Sequence, residues 1–198
     1  DYDRYNFSFR NTTNFLNNKF ILDTSANYII QNDKNMVSQG QYFNPLTSLY
    51  LFPRGEDFSD VAVYERYDDL SGVNTQYWPY GDLGGVSSQN PYWIMNRMNR
   101  ENDRRRYKLA ASLQYNIIEG LNVQGRVSID NTESKYTEKF HAGTVGNFAG
   151  PKGRYKEENR LDRQVYADVL ANFNKTFNEF NVTANLGASI KDLRMELT

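Results

Sequence analysis

The chain opens on an alternation of period two. Tyr5, Phe7, Phe9, Asn11, Thr13 and Phe15 share one face, and Asn6, Ser8, Arg10, Thr12 and Asn14 share the other. Successive side chains of a strand point to opposite faces, so this pattern predicts a strand over about 3–16 with one apolar and one polar side. Asn17, Asn18 and Lys19 form a short polar turn into a second strand, about 20–31, whose apolar face is softer. The alternation returns in Tyr107, Leu109, Ala111, Leu113, Tyr115 and Ile117. It crosses a tight turn at Glu119-Gly120 and continues in Leu121, Val123, Val127 and Ile129, predicting strands over about 104–118 and 121–133. A third pair spans about 160–176 and 180–192, around a turn at Asn178-Glu179.

Between these hairpins the alternation stops. The connections over about 32–103 and 134–159 are rich in Gly, Pro, Asn, Asp and aromatic residues. Loops this long are rare in compact domains unless they carry function. The strands exceed the five or six residues usual in soluble sheets. Short turns alternating with long loops, on strands with one apolar face, are the pattern of a transmembrane β-barrel. The expected fold class is therefore all-β, about six antiparallel strands in three hairpins of a transmembrane β-barrel with long extracellular loops. Antiparallel soluble sheets also alternate. The competing expectation is a soluble β-sheet glycan-binding module that uses aromatic loop residues.

Composition sharpens this expectation. The 198 residues include 15 Tyr, 12 Phe and 2 Trp, yet mean hydropathy is −0.76. Disordered chains share the polarity but not the aromatics. Net charge is −1, so no basic excess points to nucleic acid. No cysteine is present, which excludes disulfides, thiolate metal sites and cysteine nucleophiles, and the single His141 excludes any site needing two imidazoles. No apolar run approaches the ~20 residues of a membrane-spanning helix, a limit that does not apply to strands.

Four stretches carry a resemblance. They are Asn44-Pro45-Leu46-Thr47-Ser48-Leu49-Tyr50-Leu51-Phe52-Pro53-Arg54-Gly55, Gln76-Tyr77-Trp78-Pro79-Tyr80-Gly81, Asn90-Pro91-Tyr92-Trp93-Ile94 and Gly150-Pro151-Lys152-Gly153-Arg154-Tyr155. Together with the hairpin from Arg106-Tyr107 through Leu121–Arg126, the sequence resembles the SusC/RagA family of TonB-dependent outer-membrane transporters of Bacteroidetes. The resemblance implies a 22-stranded barrel around an N-terminal plug, a SusD-like surface lipoprotein as partner, and import of oligosaccharides or peptides with energy passed by TonB. It makes this chain a middle part of the barrel wall. The plug and the TonB-contacting segment are expected to be absent from it, and the remaining barrel and plug of the parent transporter to be its partners. Six strands alone leave two open edges, which neither lipid nor water tolerates well.

Candidate chemistry concentrates in the first long loop. Trp78, Trp93, Tyr50, Tyr80 and Tyr92 offer flat apolar faces of the kind that stack on sugar rings, and Phe52 lies among them. The alternative is that these rings pack the loop itself. Arg54 offers a guanidinium to an acidic ligand group or to an ion pair within the loop. These seven residues are the expected ligand or partner contacts. Asp57, Asp60, Glu65, Asp68 and Asp69 are oxygen ligands in number, but without calcium-loop spacing they are expected to form a solvated loop, not a metal site. No cofactor, nucleic-acid partner or enzymatic activity is expected. Arg104-Arg105-Arg106, with Arg97, Arg100 and Lys108, is the one basic cluster; it is expected either to meet lipid and lipopolysaccharide phosphates at the barrel rim or to be solvated beside Asp103 and Glu101. On the strands, Tyr5, Phe7, Leu109, Leu113, Val123, Val127, Val169, Leu186 and Ile190 are expected to face lipid. Gln114, Gln124, Arg126, Asp130, Asp168 and Asn185 are expected to face the lumen.

Overall fold

A computed structural model describes residues 1–36, 42–80 and 88–198, so Gly81 of the second motif lies outside the described residues. The fold is all-β. Six long strands form one open antiparallel sheet in the order β1-β2-β5-β6-β7-β8: β1 Tyr2–Phe15, β2 Phe20–Lys34, β5 Met98–Ile118, β6 Leu121–Phe140, β7 Arg154–Phe177 and β8 Phe180–Leu197. A separate hairpin pairs β3 (Glu65–Asp68) with β4 (Val73–Gln76). The chain divides into two compact units, a wall unit (4–31, 104–134, 159–198) and a loop unit (1–3, 32–103, 135–158).

In the wall unit the alternation becomes geometry. Across β7 and β8, Ala167 pairs with Ile190, Val169 with Ala188, Ala171 with Leu186 and Phe173 with Ala184, while Asp168–Ser189 and Asn172–Asn185 fill the rows between. The apolar face ends at Ile190; the next pairs in its parity are Val165–Asp192 and Arg163–Arg194. This face is open: Leu186 is 78% and Ile190 71% exposed, and Tyr5, Phe7, Leu109, Leu113, Val127 and Val169 are exposed with them. Val123 is half-buried. Close to the short turns the same face carries stacked rings, Phe15–Phe20 at 5.6 Å and Phe20–Tyr115 at 4.6 Å.

The polar face is cross-linked strand to strand. Arg10 grips Asp23 (2.5 and 3.2 Å), Arg106 grips Asp130 (2.6 and 2.8 Å), and Arg126 grips Asp168 (2.9 Å). Between them Asn27 donates to Ser8 and Asn172 to Asn122. This ladder breaks up the expected basic cluster. Arg106 is held by Asp130 and Arg104 Nε reaches Ser134 Oγ at 3.4 Å on the polar face, so strand alternation turns Arg105 the other way. Arg104 and Arg106 share the polar face, and Arg105 lies on the other.

The short turns use left-handed backbone. Leu16, Asn17, Asn18 and Asn178 have φ of 54°, 53°, 63° and 52°. Asparagine tolerates that region because its side chain hydrogen-bonds locally. Gly120 has φ 85°, and a Cβ there would lie 2.5 Å from the Asn174 carbonyl oxygen, so this turn requires glycine.

The strands run past their expected ends at 31, 104, 133, 160 and 192, to 34, 98, 140, 154 and 197. In the loop unit these added residues are held by charge: Lys34–Glu101 (3.3 Å), Lys139–Glu101 (3.5 Å), Lys135–Glu157 (3.0 Å) and Arg154–Glu138 (3.3 Å). Hydropathy does not alternate where both faces are polar, so the signal fades before the ladder does.

The long connection is also built, not irregular. Asn44 caps helix α1 (Pro45–Tyr50) and Asn90 caps helix α2 (Pro91–Arg97); each side-chain oxygen accepts the backbone N–H two residues on, and each helix starts on proline. Asparagine at the cap followed by proline at the first helical position is a helix start. A 3₁₀ turn follows at Phe58–Ala62. The core of this unit is Trp93, Ile94, Met98, Phe140 and Ala149, flanked by Phe43, Tyr64 and Phe148.

Candidate functional site

The aromatic loop residues separate into three roles. Trp93 is fully buried; its indole N–H donates to Thr144 Oγ1 at 3.2 Å. Helix α2 turns it into the core of the loop unit. Tyr92, beside it, stacks on Tyr64 with centroids 6.4 Å apart. Tyr50, the last residue of α1, is 88% exposed, and Arg54 is exposed as well.

Phe52, Tyr80 and Trp78 come together. Phe52 meets Tyr80 edge-to-face at 5.2 Å, Tyr80 meets Trp78 edge-to-face at 5.2 Å, and Phe58 closes the other end against Phe52 at 5.5 Å. Trp78 is fixed by its indole N–H donating to Ser88 Oγ at 2.8 Å, and Ser88 Oγ donates to the Tyr80 carbonyl at 3.2 Å. Edge-to-face aromatic pairs of this kind contribute about 0.5–1.5 kcal/mol beyond area burial.

Beside these rings lies a cavity of about 220 Å³, lined by Asp60, Val61, Arg66, Tyr77, Trp78 and Tyr80 among others. Its floor is set by Asn90, buried to 1% exposure. The Asn90 amide donates to the Val61 carbonyl at 2.9 Å and the Tyr77 carbonyl at 3.2 Å, while its oxygen caps α2. One side chain thus ties the 3₁₀ turn, the segment after β4 and the second helix together. The Arg66 guanidinium lies 3.4 Å over the centre of the Tyr77 ring. Burial pushes the Tyr80 phenol above its ordinary range, with the charges of Glu56 and Asp60 adding to the effect.

The remaining acids of this loop are engaged locally. Asp57 accepts from Ser59 N–H at 2.9 Å and Asp68 accepts from the N–H groups of Leu70 and Ser71 at 3.2 Å, and these bonds lower both carboxyls. Glu65 takes both arms of Arg97 at 2.8 Å, which holds its carboxyl below the usual range against the penalty of burial. Among the described residues no group of three potential ligands converges on a metal position. Arg66, Tyr77 and Asp60 were not among the expected contacts. Tyr77 alone had a signal in the sequence, as part of the motif after β4.

The fold defines a class: an open antiparallel sheet with one apolar and one polar face, and a loop unit with a core of its own. Solved structures share that fold. A chain from the RagAB peptide importer in the 'open-open' state matches 99% of this chain with a TM-score of 0.67 at 13% identity. Chains from its 'closed-closed' state and from another RagAB peptide transporter structure match with TM-scores of 0.59 and 0.62 at 13% and 14% identity. This chain spans 20%, 24% and 21% of those three chains, respectively. No protein-family model and no curated protein matches the sequence. The likeness is to chains of RagAB importers, and at this identity it is a likeness of fold alone.

Proposed function

We propose that this chain is part of the barrel wall of a SusC-type, TonB-dependent nutrient importer of the bacterial outer membrane, and that its loop unit contacts cargo or a SusD-like lipoprotein. One observation carries this reading: the outer face of the wall is apolar, exposed and ends abruptly. From Phe180 to Ile190 the face runs ten steps along the strand; at about 3.3 Å per residue and a tilt near 40° it covers roughly 25 Å, the height of the apolar band of outer-membrane barrels. Beyond it the same face turns to Asp192, Arg163 and Arg194. The ring pairs of Phe15, Phe20 and Tyr115 fit the aromatic girdle at the opposite boundary.

The wall itself is passive. Its Arg–Asp ladder satisfies charge on the side away from lipid, where a plug would sit. The open edges β1 and β8 pair with further strands of the parent protein, because unpaired backbone in lipid costs several kcal/mol per group. No residue performs bond chemistry in this reading. The cargo class implied by the resemblance is oligosaccharide or peptide, and Tyr50, Phe52, Arg54, Trp78, Tyr80 and Tyr92 remain the proposed contacts. The soluble glycan-binding alternative gains nothing from the open apolar face, which in water would aggregate.

The test is membrane extraction followed by uptake. The natively expressed protein carrying this sequence is expected to leave the membrane fraction only with detergent, and its deletion to abolish energised uptake of its cargo. A fully folded, monodisperse protein released without detergent overturns the reading.

A further inference from the structure

The polar face of the wall divides into two zones, and their difference says how the wall holds what it encloses; this rests on the importer reading above. Toward the long loops the face carries charge, and the charges answer one another within the sheet, Arg10 with Asp23, Arg106 with Asp130 and Arg126 with Asp168. Toward the short turns the charge stops. Between the Arg126–Asp168 row and the turns, no polar-face position of β5, β6 or β7 is charged. Amides dominate there: Gln114 and Asn116 on β5, Asn122 and Gln124 on β6, Asn172 and Asn174 on β7. Asn185 of β8 continues the row directly across from Asn172.

These amides are fixed in place. Gln114 donates to Asn116 Oδ1 at 2.9 Å, Asn116 donates to the Asn18 carbonyl at 2.8 Å, and Asn172 donates to Asn122 Oδ1 at 2.9 Å. Asn116, Asn122, Asn172 and Asn174 line a hollow of about 430 Å³ at the turn end of the sheet; Lys19 and Glu119, of opposite sign, border it from the turns. A primary amide carries two N–H donors and an oxygen with two lone pairs. The bond from Asn172 to Asn122 uses one donor and one lone pair. It leaves the N–H groups of Asn122 beside the oxygen of Asn172. That pair is the complement of a peptide unit, which offers one C=O and one N–H. A charged surface set against this zone would lose its water with no opposite charge to replace it.

We propose that the amide zone seats an extended, uncharged stretch of main chain from the domain the barrel encloses, the plug of the parent transporter, and that the charge ladder nearer the loops braces the wall itself. Neutral hydrogen bonds then retain the plug at this end, and salt does not loosen it.

The test uses the full-length protein in native membranes, with the photocrosslinker benzoylphenylalanine replacing Asn174 or, on the opposite face, Val123. The expected result is a crosslink from position 174 to one segment of the plug, at low and at molar salt alike and with or without cargo, and none to the plug from position 123. Hydrogen exchange of that segment, read in detergent, then measures the bonds. Asn122→Leu combined with Asn172→Leu should speed it about tenfold, and molar salt should leave it unchanged in the parent. Heat-modifiable migration on gels checks that the variant barrel has folded, and the crosslink decides the matter without the variant. Crosslinks from position 174 to cargo, to a lipoprotein or to nothing in the plug overturn the proposal, as does protection of the segment that falls with salt. In each of those outcomes a protein that still requires detergent keeps the importer reading. A parent protein with no plug ends the importer reading itself.

Discussion

The wall unit and the loop unit solve opposite problems with one chain. In the wall, large apolar side chains are exposed on one face: Leu186 and Ile190 stand open, while the opposite face holds Arg126–Asp168 and Arg106–Asp130. In the loop unit the order is the ordinary one, with Trp93 and Met98 fully buried and charge on the periphery. The wall is held by backbone ladders, and in the importer reading its apolar face meets lipid. The loop unit is held by a small packed core and needs water outside. In the importer reading, the wall unit meets lipid and the loop unit meets water.

The largest effect expected from breaking this contrast is at the loop core. Trp93→Ala removes a fully buried ring and should cost the loop unit about 3–5 kcal/mol. Limited proteolysis should then cut within 42–103, while the strands keep the heat-modifiable mobility of a folded barrel on gels. Loss of both together would mean that the two units do not fold separately.

A charge in the apolar band comes next. Leu186→Arg should cost about 2–4 kcal/mol in lipid, and Asn185→Arg on the opposite face far less. Equilibrium unfolding in detergent or lipid, compared between the two, reads the difference; equal costs would contradict the assignment of faces. Gly120→Ala should cost about 1–3 kcal/mol, because it adds a Cβ to a left-handed residue pressed on the Asn174 carbonyl. That cost belongs to the wall alone and should leave proteolysis of 42–103 unchanged.

The smallest effect is electrostatic and belongs to the loop unit. Glu65 has its carboxyl lowered mainly by the hydrogen bonds from Arg97. A lowered native value means the contribution is fully present above the ordinary 4.5 and is lost as pH falls through the native value. The pair is about a quarter exposed, so its worth is of order 1 kcal/mol. Acid should therefore loosen the loop unit of the parent more than that of Glu65→Gln, which has lost the contribution at every pH. Protease sensitivity between pH 6 and 3 measures it.

The sequence made one unit legible and not the other, for reasons that lie in the solvent. In the wall, each residue from Phe180 to Ile190 is assigned to one of two environments by parity, so alternation in the sequence is the structure itself. The same rule places Arg105 on the opposite face from Arg104 and Arg106, since adjacent side chains on a strand point to opposite sides. In the loop unit, Trp93, Phe140 and Ala149 meet from segments about fifty residues apart, with no period to announce it. Two local signals were present there: Asn44-Pro45 and Asn90-Pro91 are helix starts, visible to anyone reading caps instead of hydropathy. The pairing of Arg66 with Tyr77 had no such trace, because the hairpin between them sets the contact.

The most direct test of the central claim uses the absence of cysteine from this chain. Single cysteines placed at each position from Ala184 to Lys191 of β8, in the full-length protein in membranes, are spin-labelled and their accessibility to oxygen in lipid and to a water-soluble nickel complex is compared. The account predicts a period of two: Ala184, Leu186, Ala188 and Ile190 open to lipid oxygen, and Asn185, Gly187, Ser189 and Lys191 shielded from it. Uniform exposure to the nickel complex, or even positions protected from both reagents, would show that this face meets water or protein and would contradict the account.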